Sequence, residues 1–227
     1  CHSPTTHDTA VGTAWTSPPS AWDREAAGSG AGAGAGARGA PPPPPPPPLS
    51  RYSLRAEGRG VGTRTVFGTG QVAATDLPRA MGGRDGDPQP VELLLAALVG
   101  CEQATAAFAA RHMEPRLRLE GIDFAYEAER DPRGATALPL GAPPPAPARL
   151  LAVTGVARVR LRAPPGPGLG DGGGGRDGAG ARAGVAARRA AVQELGAAVQ
   201  RRCPVAQTLL AAGVQLNIKW ELAGDGQ

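Results

Sequence analysis

The sequence predicts an α+β domain. Segments with period-two alternation lie before, between and after segments with helical periodicity, the pattern of strands and helices that share one core. The stretch "PVELLLAALVGCEQATAAF" is almost wholly aliphatic or alanine and long enough for a central helix. The 34 glycines and 25 prolines, about a quarter of the 227 residues, cluster outside those segments.

Residues 1–48 carry "GSGAGAGAGARGAPPPPPPPP", a flexible Gly/Ala tract and a polyproline run that cannot pack a core. Trp15 and Trp22, in "TAWTSPPSAW", read as a docking motif or as part of an unstructured leader, with little apolar surface around them to offset the entropy of ordering. The first residues are Ser/Thr-rich and poor in acids, as in a transit peptide, but lack its arginines. The globular domain is expected over 49–222, with a Gly/Pro insertion at about 163–182 and a tail at 223–227.

"GTRTVFGTGQVAATD" alternates and reads as one or two strands ending at Asp76; "LPRAMGGRDGDPQP" follows as a loop. Pro90 suits a first helical turn because no amide donor is needed there, and Glu92 is an acid where the helix dipole favours one. The helix should end near Met113, ahead of Pro115. Leu93, Leu94, Leu95, Ala96, Ala97, Leu98 and Val99 cover every face of two turns, so it should be buried all round. "RLRLEGIDFAYEAERD" is a strand placing Leu117 and Leu119, then Ile122, Phe124 and Tyr126, on one side after a shift at Gly121. "LGAPPPAPA" is a loop, and "RLLAVTGVARVRLRA" a strand setting Ala157, Val159 and Leu161 against a solvated face of Arg158, Arg160 and Arg162. The glycines of the insertion make no phosphate loop, since neither the strand-to-helix context nor a Lys-Ser/Thr is present. "VAARRAAVQELGAAVQRRC" is a second helix, with Val185, Val192, Leu195 and Val199 inward, stopped at Cys203-Pro204. "VAQTLLAAG" is a short helix closed by Gly213, and "VQLNIKWEL" a last strand with Val214, Leu216, Ile218 and Trp220 on one side.

Charge and composition exclude several functions. The formal charge of +4 is a weak excess, spread along the chain and nearly all arginine, with Lys219 the one lysine. No basic run is interleaved with the eight aromatic side chains, which argues against a nucleic-acid partner. No run of about 18 consecutive apolar residues occurs, so no membrane span is expected. Cys1, Cys101 and Cys203 cannot make a disulfide framework, a zinc knuckle or a C-x-x-C pair, which points to redox-active thiols in a reducing compartment and to no metal. His2 and His7 lie in the leader and His112 at a helix end, where a cation caps the dipole, leaving no histidine for a Cys-His pair in the core.

Cys101 is then either a small core residue or a reactive thiolate held by the central helix. Cys1, in the leader ahead of the Gly/Ala tract, is incidental. Cys203 follows Arg201 and Arg202 at a helix end, where positive charge stabilises a thiolate. Glu102 and Gln103 lie at the edge of a site or form a polar strip facing a loop.

"GGRDGDPQPVELLLAALVGC", with Pro90, Glu92, the leucine run and Cys101, resembles the first signature of the OsmC/Ohr family, the osmotically induced and organic hydroperoxide resistance proteins. "RRCPVAQTL", with Cys203, Pro204, Val205, Thr208 and Leu209, resembles the second. The resemblance covers roughly residues 60–222. It implies the OsmC-like fold, antiparallel sheets packed around long central helices in an intertwined homodimer, and a thiol peroxidase with no cofactor. Cys101 would attack an organic hydroperoxide and become a sulfenic acid; Cys203 would condense with it to a disulfide, reduced by an external dithiol. The family also uses an arginine and a glutamate. Arg79, or alternatively Arg84, is the expected cation, and Glu92 the expected acid or else an ordinary first-turn acid. The chain departs from the hydroperoxide reductases at Val91, where their acid directly follows the proline; Glu92 is one step on, turned by about 100°.

The expected function is thus reduction of organic hydroperoxides to alcohols by a homodimer, in the cytoplasm or in an organelle matrix if residues 1–48 are a transit leader. Two other readings stand beside it: a redox-sensitive binding or regulatory module on the same scaffold, and a structural domain with inert thiols.

Overall fold

The computed structural model describes residues 49–162 and 178–224. The chain divides into two units, Cys1–Ser50 and Arg51–Gln227. The leader, with Trp15 and Trp22, and the insertion up to residue 177 lie outside the described residues.

The second unit opens with three antiparallel strands, β1 (Leu54–Arg59), β2 (Gly62–Phe67) and β3 (Val72–Thr75), in the order β1-β2-β3. This is one strand more than the alternation predicts. "LRAEGR" has no apolar alternation to reveal it, and every residue of β1 is exposed. Tyr52, Leu54, Phe67 and Val72 are exposed as well, so this sheet keeps apolar surface open.

Asp76 organises the loop that follows. Its carboxylate accepts hydrogen bonds from the backbone N–H groups of Leu77 (2.8 Å), Arg84 (2.9 Å) and Gly86 (3.3 Å). These three donors hold the carboxyl below the usual carboxylate range. Gly83 sits inside the coil, where a Cβ would lie 1.7 Å from the Leu77 carbonyl oxygen, so no larger residue fits without remaking the loop. Arg79 lies on a 3-10 helix, Arg79–Met81, and is exposed.

The long helix α1 (Pro90–His112) starts as the sequence predicts, with Pro90 in its first turn. A capping box closes its start: the Gln89 N–H donates to Glu92 Oε2 at 2.7 Å. At the other end His112 Nδ1 lies 2.8 Å from the Phe108 carbonyl oxygen. Leu98, Glu102, Ala106, Ala109 and Ala110 are its buried residues, three or four apart on one face. The expectation of burial all round is corrected within the chain: Leu94 and Phe108 are 39% and 48% exposed, because the helices Gly178–Arg202 and Pro204–Ala211 and the strand Leu119–Arg130 cover one side only. By length and mean hydropathy α1 would also suffice to cross a membrane, although Glu92 and Glu102 interrupt its apolar run. Its packing against these elements and its buried Glu102 make it a core helix instead.

The second sheet has the order β4-β5-β6, formed by β4 (Leu119–Arg130), β5 (Leu150–Leu161) and β6 (Gln215–Leu222). β4 and β5 are antiparallel with a register shift between Leu119 and Gly121, where the hydrophobic pattern changes phase. β5 and β6 are parallel, so this sheet is mixed and not purely antiparallel as expected. Parallel neighbours need a crossover, supplied here by α3 (Gly178–Arg202) and α4 (Pro204–Ala211). A short helix, α2 (Arg133–Thr136), interrupts the β4–β5 connection. Ala157 and Val159 are buried. The opposite face is exposed, with Arg160 paired to Asp123 on β4 and Arg158 3.9 Å from Glu221 on β6.

α3 begins at Gly178, ahead of the expected helix and inside the expected insertion. Val192, Leu195 and Val199 are fully buried, whereas Val185 is exposed and not inward as predicted. Gly196 lets α3 approach β6: a Cβ there would stand 2.4 Å from Trp220 Cγ. Gln193 Nε2 donates to the Trp220 carbonyl oxygen beside it. Phe124, Tyr126 and Trp220 meet edge to face, with centroids 5.6 and 6.3 Å apart. The core thus lies between the β4-β5-β6 sheet and the helices α1, α3 and α4, and Cys203 is inside it.

Candidate active site

Two distant parts of the chain bring their thiols together. Cys101 rides at the start of the fourth turn of α1, half-buried against the core; Cys203 occupies the junction of α3 and α4 and is 0% exposed. Both are free thiols. The Cys203 N–H donates to the Val199 carbonyl oxygen at 2.8 Å, ending α3. Its sulfur then caps α4, accepting from the Ala206 N–H at 3.4 Å, and Pro204 fills the first position. One residue therefore stops one helix, starts the next and points its thiol inward.

The two sulfurs are close enough to act on each other. Burial is the largest influence on Cys203 and pushes its thiol up to about 11; the Ala206 and Val205 N–H groups pull it back, and a hydrogen bond and charge at Cys101 push it further. The expectation that Arg201 and Arg202 stabilise a Cys203 thiolate is corrected: both are exposed, and burial prevails.

The expected Arg79 and Glu92 do not join the pair. Glu92 serves as the helix cap and lies nine residues before Cys101, about 13 Å along the axis and half a revolution round it. Arg79 and Arg84 belong to the loop before α1, and among the described residues no hydrogen bond or ion pair joins either guanidinium to a cysteine. A cleft of about 800 Å3 under β2 and the Asp76 loop includes Arg84 but neither cysteine.

A buried acid directly follows Cys101 and meets a phenol. Glu102, directly after Cys101, is 3% exposed, and Tyr126 Oη donates a 2.5 Å hydrogen bond to its Oε2. Burial raises the Glu102 carboxyl, and the Tyr126 hydrogen bond opposes that rise. Tyr126 is raised by burial first, then by its hydrogen bond to Glu102 and the charge there, and last by charge on Cys203. Glu102 is therefore no polar strip facing a loop. The alternation of β4 puts Tyr126 inward, but nothing local reveals that its hydroxyl meets Glu102, 24 positions away.

The chemistry open to this group is asymmetric. Cys101 has solvent on one side and can meet a small substrate; Cys203 can reach only what Cys101 brings to it. Among the described residues no group of three or more His, Cys, Asp and Glu side chains is placed to hold a metal ion.

Comparison with known proteins supports the likeness read from the two cysteine motifs. The model of the family described as OsmC-like protein matches residues 83–164, which include Cys101 and Glu102 and end before Cys203. An OsmC-like protein of Mycoplasma pneumoniae shares the fold with a TM-score of 0.51 at 15% identity, over 76% of this chain and 97% of that one. An OsmC-like protein of unknown function from Vibrio cholerae does so with a TM-score of 0.52 at 12% identity, over 75% and 99%. No curated protein sequence matches. At such identities the structures establish the OsmC-like fold.

Proposed function

From an OsmC-like segment on an OsmC-like fold, we propose that this chain is a thiol-dependent peroxidase that reduces organic hydroperoxides to alcohols. The observation that carries the reading is the meeting of a half-exposed Cys101 with a fully buried Cys203. Cys101, as thiolate, attacks the O–O bond, releases the alcohol and becomes a sulfenic acid. Cys203 condenses with it, water leaves, and an external dithiol reduces the disulfide by exchange.

A homodimer completes the proposal. The open apolar side of α1, with Leu94 and Phe108, and the exposed apolar residues of the β1-β2-β3 sheet are what a second copy would cover. The cation that stabilises the Cys101 thiolate would then be Arg79 or Arg84 of the second copy, since within one chain, among the described residues, no hydrogen bond or ion pair joins either to a cysteine. Among the described residues no hydrogen bond or ion pair joins Arg79 or Arg84 to a cysteine and Glu92 is engaged as a cap, which favours a second reading: a redox-sensitive binding module on the same scaffold, without turnover.

Peroxide consumption separates the two. The protein with a dithiol should consume cumene or t-butyl hydroperoxide, and Cys101→Ser should abolish turnover. Equal turnover by Cys101→Ser would end the peroxidase reading, and reversible Cys101–Cys203 oxidation without turnover would favour the module.

A further inference from the structure

A second cleft, of about 740 Å3, opens where the end of α1 meets the start of β4 and the end of β5. Arg111, Arg116, Arg118 and Arg162 line it, all exposed, and Glu120 is its one acid. Among the described residues none of these five side chains has an ion pair or a hydrogen bond. Arg158 and Arg160, just before Arg162 in the chain, differ: each faces an acid, Glu221 and Asp123. A concave wall lined by one sign of charge focuses its field and concentrates counter-ions.

The arginines are not spent on closing α1. Basic side chains near a helix C-terminus can cap its last carbonyl groups, but here other donors do so. The Phe108 oxygen lies 2.8 Å from His112 Nδ1, the Ala109 oxygen accepts from the Met113 N–H at 3.0 Å, and the Ala110 oxygen accepts from the Leu117 N–H at 2.9 Å. The backbone also sets the cleft in advance. The Arg162 N–H donates to the Arg118 carbonyl oxygen at 2.9 Å, which holds the two residues side by side where β4 begins and β5 ends. Gln103, Ala107 and Ala110, at helical spacing, turn one face of α1 into the cleft. That face lies about 150° round the helix from Leu94, Cys101 and Phe108, so the cleft is separate from the thiols and from the open side of α1.

We propose that this cleft binds a small anion carrying two phosphate groups. Four guanidinium groups against one carboxylate leave an excess of three positive charges. One phosphate monoester carries only about −1.5 to −2 near pH 7, so a single group leaves part of that excess unmet. Guanidinium forks match phosphate oxygens in pairs, and four forks offer more donors than one phosphate can accept at once. The volume suits a small ligand. No aromatic side chain lines the cleft, so stacked bases have no platform there.

Isothermal titration of the full chain with inorganic diphosphate in low-salt buffer tests the site. The parent should bind diphosphate, and about 0.3 M sodium chloride should weaken binding by about tenfold or more. Arg118→Ala and Arg162→Ala should each weaken it by about tenfold or more; Arg118→Lys, which keeps the charge and loses the fork, by about threefold or more. Arg158→Ala, whose cation already has an acid beside it, should stay within about twofold. Diphosphate should also shield Arg118 and Arg162 from phenylglyoxal, read by mass spectrometry of the peptides. A parent that binds no diphosphate, equal weakening by Arg158→Ala and Arg118→Ala, or binding that leaves both arginines unshielded would overturn the site. Inorganic phosphate bound as tightly as diphosphate would overturn the two-group ligand, and citrate bound as tightly would overturn the choice of phosphate. No hydroperoxide enters the titration, so its outcome is independent of the peroxidase reading.

Discussion

With its thiol pushed up to about 11, Cys203 holds about one part in a thousand as thiolate near pH 8. Iodoacetamide should therefore label Cys101 first and spare Cys203 until the fold opens, as mass spectrometry of the peptides would show; equal labelling of both would contradict the burial. The same displacement makes stability depend on pH. The folded state keeps a proton that the unfolded chain loses, so Cys203 supports the fold below about pH 9 and the support fades as pH rises from 9.0 to about 11. Urea midpoints should fall across that window, and by less in Cys203→Ala. Glu102→Leu would leave the Tyr126 hydroxyl without its acceptor and should cost about 1–3 kcal/mol in urea unfolding. Glu102→Gln keeps an acceptor oxygen and should cost less. Both cysteines were readable from their motifs. The Glu102–Tyr126 bond was not, because a helix and a strand must pack before the two side chains meet.

Elements meet through a few fixed contacts. The Asp76 carboxylate gathers three backbone donors before α1 begins, so Asp76→Asn should speed hydrogen exchange at Arg84 and Gly86 while the core amides of α3 stay protected. Because these hydrogen bonds lower the Asp76 pKa, the hold is complete above the ordinary carboxylate value of 3.8 and is lost as pH falls through the lower folded value. Glu92→Ala should cost about 1 kcal/mol through loss of its cap and leave the labelling rate of Cys101 within about twofold. A large fall in that rate would return Glu92 to the site. Periodicity identified α1, β4, β5 and β6 because each buries one regular face. It missed β1, which buries none, and it placed the start of α3 too late because Gly and Ala carry no hydrophobic phase.

At the scale of the whole molecule, apolar surface on α1 and on the β1-β2-β3 sheet stays open among the described residues. If a second copy takes that place, Leu94→Glu and Phe108→Arg should each convert a dimer to monomer in sedimentation velocity, with the β4-β5-β6 core still folded by circular dichroism. An unchanged sedimentation coefficient in both variants would remove α1 from the interface. Loss of peroxide consumption in the monomer, with the cysteine pair still able to oxidise, would locate the activating arginine in the other copy.

Order along the chain, the α+β class, the long helix and the two cysteine motifs follow from the sequence, because periodicity, prolines and motif spacing are local properties. Tertiary structure decided the rest: that Cys203 is shielded and not activated, that Glu92 caps a helix, and that Glu102 meets Tyr126. Burial, dielectric and side-chain approach arise only when α1, α3, α4 and β4 close around the same interior.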